Sequence, residues 1–238
     1  MNVFSSNLLR GIPRVACAFF GRGSTPRPLP SRLLSHLRLP GPGPHRVVTA
    51  RQIHSNRCLV VDAGAAGDQT AGEADALVTS NGGLVLGITT ADCLPIVAID
   101  PRAGVLGVVH AGWKGTLAGV LANALSCMAE RCGARPDAML VAVGPGAHRC
   151  CYTIGDAVED RFRRAFPSVA GRIIQQRSGA TYLDLVEANR LQALDAGVSP
   201  DHFEALGICS ICRPARCHSF RRDGARAGRM WLLAAMVE

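Results

Sequence analysis

Residues 84–115 read LVLGITTADCLPIVAIDPRAGVLGVVHAGWKG, and three short apolar, β-branched runs stand out in them: 84–90, 95–100 and 104–110. Each run is too short for a typical helix and is bounded by Gly, Asp or Pro, so each reads as a strand. Upstream, CLVVD (58–62) and ALVTS (76–80) repeat the pattern, which predicts a multi-stranded sheet. Downstream the period changes. Leu117, Val120, Leu121, Ala124, Leu125 and Met128 recur at helical spacing, predicting an amphipathic helix from about Thr116 to Cys132 that stops at Gly133. After the strand-like MLVAVG (139–144), Asp156 is placed to cap a helix carrying Val158, Phe162 and Phe166 and ended by Pro167. Asp184 and Glu187 form a capping pair for a third helix, with Leu191, Leu194 and Val198 on its apolar side and Gly197 as its stop. FEALGIC (203–209) then returns to the sheet. Early strands outnumber crossover helices, so the fold class is α+β, with mixed sheets covered by helices rather than a strictly alternating parallel sheet.

The chain has 238 residues, 48% hydrophobic and 18% charged, enough apolar material for a sizeable core. No run approaches the ~18 to 20 apolar residues of a membrane-spanning helix, so no membrane partner is expected. The net charge of +8 invites a nucleic-acid partner, but its distribution argues against one. Residues 1–61 carry nine arginines and no acid, whereas 62–238 sum to −1. The Arg213–Arg229 stretch has six arginines and one acid, with Phe220 as its one aromatic, so no nucleic acid is expected there either. Residues 1–45, rich in Pro, Gly, Arg and Ser, read as a poorly ordered segment ahead of a single domain at 46–238. Their Arg-rich, acid-free composition suits an organelle-targeting peptide of roughly 25 to 40 residues. Codon bias produces the arginine skew more readily than function does, because 25 of the 26 basic residues are arginine and one is lysine. The cytoplasm is the expected location, with organelle targeting as the alternative.

Three segments end a predicted strand with a metal-ligating side chain: His54 in RQIHSN, Cys93 in TTADCLPI and His110 in VVHAGWKG. Two imidazoles and a thiolate suit zinc, with a fourth position left for water or substrate. The two glycines of AGWKG let backbone approach closely before a helix, making that loop, with Lys114, a candidate phosphate cradle. Asp92 beside Cys93 either orients a ligand and manages a proton or is a turn residue bonded to nearby amides. Arg221 and Arg222 are either phosphate ligands or a solvated surface. Ten scattered cysteines without a secretory signal read mostly as buried thiols. Cys209 and Cys212, with Cys217 and His218 nearby, are open to a second zinc or a redox pair, although their spacing fits no zinc motif well.

ADALVT, TADCLPI, VVHAGWKG, GPG followed by CCYTIGD, and CHSFRRDGARAGRM, in that order, resemble the YfiH-type family, also called the laccase-domain or multicopper polyphenol oxidase family. The resemblance runs from about Val47 to Leu233. It implies a cysteine-hydrolase-like α+β fold and zinc held by His54, Cys93 and His110. It also implies purine nucleoside chemistry: phosphorolysis of adenosine, inosine and methylthioadenosine, and deamination of adenosine. Lys114 stands where many members have Arg, SFRR (219–222) replaces SYRR, and Cys209-Ser210 replaces Cys-Thr. Lys cannot make the planar bidentate phosphate contact of Arg. FFGRGSTP (19–26) is similar to the family's Phe-Phe-Gly-Arg element but lacks the portion that usually follows.

These readings make a zinc-dependent purine nucleoside phosphorylase the leading expectation, with copper as an alternative metal and nucleoside and phosphate as partners. Cys93, Asp92 and His110 are its candidate catalytic residues, and Lys114, Arg221 and Arg222 bind phosphate or substrate. The alternatives are an amide hydrolase acting on peptidoglycan precursors, with a Cys93 thiolate activated by His110, a polyphenol oxidase, and a non-catalytic zinc-stabilised interaction protein. The sequence leaves the oligomeric state open.

Overall fold

A computed structural model of the chain describes residues 1–23, 31–37, 39, 46–61 and 69–237. Two six-stranded sheets form its centre. The first runs in the order β1 (Val3–Phe4), β2 (Val15–Phe20), β15 (Met230–Met236), β7 (Leu84–Thr90), β3 (Arg46–Arg51), β5 (Gln69–Glu73). The second runs β14 (Phe203–Ala205), β10 (Leu140–Val143), β8 (Leu94–Asp100), β9 (Val105–Ala111), β6 (Ala76–Thr79), β4 (Cys58–Val60). A small third sheet joins β11 (Thr153–Ile154), β13 (Ala180–Leu183) and β12 (Ile174–Arg177). Both large sheets are mixed: β3 pairs parallel with β7 and β5, while β15 pairs antiparallel with β2 and β7.

The side-chain period of two explains the layering. In β8 and β9, Val97, Ile99, Leu106 and Val108 face Leu86, Ile88, Leu232 and Ala234 of the first sheet. Their neighbours Leu94, Ile96, Val105 and Val109 face the other way, into a core covered by α3 (Val120–Cys132), α4 (Asp156–Ala165) and α6 (Leu185–Asp195). With both faces covered, these strands carry unbroken apolar runs, as buried strands do. The outer face of the first sheet, through Phe20, Val85, Trp231 and Leu233, packs on Leu33 of α1 (Ser31–Leu34) and on Leu37.

The expected helix from Thr116 to Cys132 is two helices. Gly119, at φ +78°, ends α2 (Trp113–Leu117), its N–H donating to the Thr116 carbonyl at 3.1 Å, and α3 then starts afresh. Gly133 stops α3 as expected, in the left-handed region. Asp184 caps α6 through the Glu187 N–H at 3.0 Å, whereas Asp156 begins α4 after Gly155 and makes no cap. The strand expected at 203–209 is limited to Phe203–Ala205.

The reading of residues 1–45 as a poorly ordered segment outside the domain is corrected where they are described. VACAFF (15–20) pairs with β15 over six residues, and Phe19 and Phe20 are each 1% exposed. Removing a leader of 25 to 40 residues would take this strand out of the sheet. The part of that reading that falls on 24–30, 38 and 40–45 lies outside the described residues. Among the described residues no helix is long and apolar enough to cross a membrane.

Candidate metal centre

Strand pairing assembles the three expected ligands. Antiparallel β8 and β9 set Leu94 opposite Ala111 and Pro95 opposite His110, so Cys93, one residue before β8, reaches the end of β9. His54 follows β3 on a loop where it adopts φ +59°, a left-handed conformation costly to a non-glycine residue. One ligand atom from each of His54, Cys93 and His110 lies within 4.8 Å of the others. The two imidazoles meet edge to face, their centroids 4.9 Å apart. Gly112 is required by this crowding: a Cβ there would lie 2.7 Å from the Cys93 sulfur and 3.3 Å from the His54 ring.

Asp75, which sequence reasoning did not single out, organises the centre. Its fully buried carboxylate contacts His110 Nδ1 at 2.8 Å. It also accepts from the backbone N–H groups of Ile53, His54 and Ser55 at 3.2, 3.0 and 2.6 Å and from Ser55 Oγ at 2.8 Å. The left-handed turn at His54 thus points successive amides at one carboxylate, which ties the His54 loop to the His110 strand. Burial alone would raise the Asp75 carboxyl, but His110 and Ser55 outweigh it and hold it at about 2. Burial likewise pushes the Cys93 thiol up, and the two imidazoles, His110 foremost, bring it down to about 6. Burial pushes His110 down, and the Cys93 thiolate and Asp75 raise it to about 9. Cys93 is therefore a thiolate near neutrality, the form that binds a metal. This donor set fits zinc: two imidazoles and a thiolate converge, and one imidazole is oriented by a carboxylate, a common arrangement behind metal-binding histidine.

Asp92, at φ +87° and 8% exposed, lines the cavity beside Cys93 and is tied to partners distant in sequence. Its oxygens accept from Ser210 Oγ at 2.6 Å, Ser219 Oγ at 3.0 Å and the Arg221 N–H at 2.6 Å. These partners lie more than a hundred residues downstream, so Asp92 anchors the C-terminal loops to the turn carrying Cys93. Arg221 and Arg222 then diverge. Arg221 lies over the Tyr152 ring at 5.0 Å and donates to the Thr153 carbonyl at 2.8 Å, on the wall of a cavity of about 690 Å³. Arg222 turns into its own loop, donating to the carbonyls of Ser210, Ile211 and Cys217 and pairing with Asp223 at 2.8 Å. It does not line the cavity, and its expected substrate role is replaced by that of a loop brace.

The same cavity opens on the three ligands and includes Lys114, Trp113, Tyr152, Phe220 and Arg229. Lys114 is exposed on α2 with its Nζ 5.7 Å from the Trp113 ring. The expected cradle of helix amides is reduced, because α2 is five residues long and Lys114 is left as its cationic group. Tyr152 was legible only as part of CCYTIGD, and nothing local marks Arg229 as a wall residue. A second group of thiols also converges: Cys150, Cys151, Cys209 and Cys212, without Cys217 or His218.

The multi-copper polyphenol oxidoreductase laccase family matches residues 31–237. The chain belongs to that family. Among solved structures of YfiH-type proteins, YlmD from Geobacillus stearothermophilus superposes with a TM-score of 0.82 at 28% identity, covering 98% of this chain and 94% of that one. The Bacillus licheniformis protein YfiH gives 0.81 at 26% identity, covering 93% and 92%. The α+β class with mixed sheets is thus that of the family. In sequence, the chain is 40% identical over 157 residues to the purine nucleoside phosphorylase YlmD of Geobacillus stearothermophilus, a match spanning 66% of this chain and 57% of the relative. It is 42% identical over 164 residues to the purine nucleoside phosphorylase of Deinococcus radiodurans, spanning 69% and 62%. A prokaryotic adenosine deaminase, RL5, of unknown organism, is 37% identical over 190 residues, spanning 77% and 72%. The first two matches cover less than two thirds of the relatives' own length.

Proposed function

We propose that the chain is a zinc-dependent purine nucleoside phosphorylase acting on adenosine, inosine and methylthioadenosine, with deamination of adenosine as a second reaction. The observation that carries this is one cavity holding a His–Cys–His donor set, an aromatic wall and cationic groups. Its volume of about 690 Å³ lies within the range that encloses small ligands. Trp113, Tyr152 and Phe220 supply faces for a purine, and Lys114 with Arg221 supplies positive charge for phosphate. In phosphorolysis a phosphate oxygen bonds to the sugar C1′ as the C1′–N bond breaks and the purine takes up a proton. Lys114 and Arg221 hold the nucleophile, and Asp92 fixes the loop that presents Arg221. When bound by His54, Cys93 and His110, zinc supplies Lewis-acid polarisation. The names of the relatives support both reactions.

The test is chromatography of adenosine incubated with zinc-loaded protein, with and without phosphate. Adenine and ribose-1-phosphate only in the phosphate tube are expected, with inosine in both; neither product in either tube overturns the proposal. A second reading rests on the Cys93–His110 pair, which also suits a thiolate nucleophile attacking an amide. Amide cleavage by metal-stripped protein, abolished by iodoacetamide, favours that reading. Oxidation of a phenol by copper-loaded protein favours the polyphenol oxidase that the family's description names.

A further inference from the structure

Outside the cavity, two loops bring four thiols to one point. Cys150 and Cys151 lie on a turn whose backbone closes through Cys151 N–H to the His148 carbonyl at 3.0 Å. Cys209 and Cys212 lie on a loop joined to that turn by a parallel bridge between Gly146 and Cys209. Arg222 braces this loop by donating to the Ser210 and Ile211 carbonyls, both at 3.0 Å, and Arg177 donates to the Cys150 carbonyl at 3.0 Å. All four sulfurs lie within 4.8 Å of one another. The Cys212 sulfur is 3.4 Å from that of Cys150 and 2.9 Å from that of Cys151.

We propose that Cys150, Cys151, Cys209 and Cys212 form a second metal centre, a structural tetrathiolate site for one zinc ion. A tetrahedral ion with ~2.3 Å bonds to sulfur sets its ligands about 3.8 Å apart, in the range seen here. Disulfides would draw the sulfurs into two separate pairs at ~2.05 Å, whereas Cys212 contacts both members of the vicinal pair. With four protein ligands the site is closed, as structural zinc sites are. It clamps the turn leading to Tyr152 onto the loop whose Ser210 holds Asp92, and so backs the cavity wall from outside.

The experiment is metal counting on full-length protein purified under reducing conditions with zinc, followed by cobalt substitution. Two ions per chain are expected for the wild type and one for Cys209→Ser/Cys212→Ser. One is also expected for Cys150→Ser/Cys151→Ser, whose more accessible positions guard against misfolding. Cys93→Ala also keeps one ion, so loss of the cavity metal is distinguished from loss of this one. The strong visible bands of tetrathiolate cobalt should survive Cys93→Ala and vanish in both double variants. A wild-type count that the double variants do not lower overturns the proposal. So does a metal-free cluster whose intact mass shows the hydrogens lost to disulfides, or iron with acid-labile sulfide in place of zinc.

Discussion

The two thiol-bearing clusters differ in what holds them. His54, Cys93 and His110 stand at the ends of strands in the sheets, with the buried Asp75 carboxylate behind them and a cavity in front. Cys150, Cys151, Cys209 and Cys212 stand on two loops, held by backbone hydrogen bonds, with Cys150 and Cys212 exposed. A mixed donor set with a carboxylate behind it and an open side suits chemistry, while four like donors on paired loops suit a staple. The lesson is that position in the fold, as much as ligand identity, separates a reactive centre from a structural one.

The sharpest way to break this contrast is Cys93→Ala. It should abolish turnover and cavity-metal binding while leaving the fold's thermal midpoint close to that of the wild type, read by calorimetry beside the activity assay. Retained turnover in a protein without cavity metal would erase the distinction. Asp75→Asn comes next. Neutralising the carboxylate behind His110 should weaken zinc binding or turnover by roughly 10- to 100-fold, measured by competition with a chelating dye. An unchanged affinity would show that Asp75 merely fastens the His54 loop.

Arg221 and Arg222 give a smaller, paired effect. Arg221→Ala should raise the phosphate KM by about tenfold, the equivalent of losing one charge-assisted contact. Arg222→Ala should leave KM in place and lower unfolding stability by about 2 kcal/mol, because it strands several loop carbonyls. Steady-state kinetics and denaturant titration separate the two, and a matching KM effect in both would contradict the divergence of their side chains. The smallest effect is in pH. His110 is raised from its ordinary 6.5 to about 9, so its contribution to stability is full below about 6.5 and is lost as pH rises through about 9. Cys93 is lowered from 9.0 to about 6, so its contribution is complete only above about 9 and is lost as pH falls through about 6. The two contributions run in opposite directions between about 6 and 9 and offset each other, so metal-stripped protein should hold a nearly constant stability across that window, a balance that Cys93→Ala removes, read by pH-resolved melting.

Much of the second sheet was legible because its strands are local: the apolar runs at 76–79, 94–100 and 105–111 are bounded by Gly, Asp or Ser, and covering both faces only lengthens such runs. The three ligands were legible because each closes or follows such a run. Asp75 was not, since its partners Ile53–Ser55 and His110 lie about twenty residues before it and 35 after, and only the parallel and antiparallel pairings of β6 unite them. Cys150 and Cys151 were missed for the same reason, being about sixty residues from Cys209 and Cys212. VACAFF was hidden by its setting. Proline, glycine and arginine on both sides gave the segment the texture of a linker, while its partner strand lies at the opposite end of the chain.

That partnership bears on how the molecule comes to exist. β15 sits between β2 and β7 and bonds to both, so residues 230–236 are the seam of the first sheet. During synthesis β2 and β7 leave the ribosome long before the strand that joins them, and each waits with an unpaired apolar edge. Contacts of such sequence separation form slowly, and open edges of this kind invite association with other chains. A nascent chain would hold a nearly finished second sheet and an unclosed first one, making chaperone demand and aggregation most acute until residues 230–236 emerge.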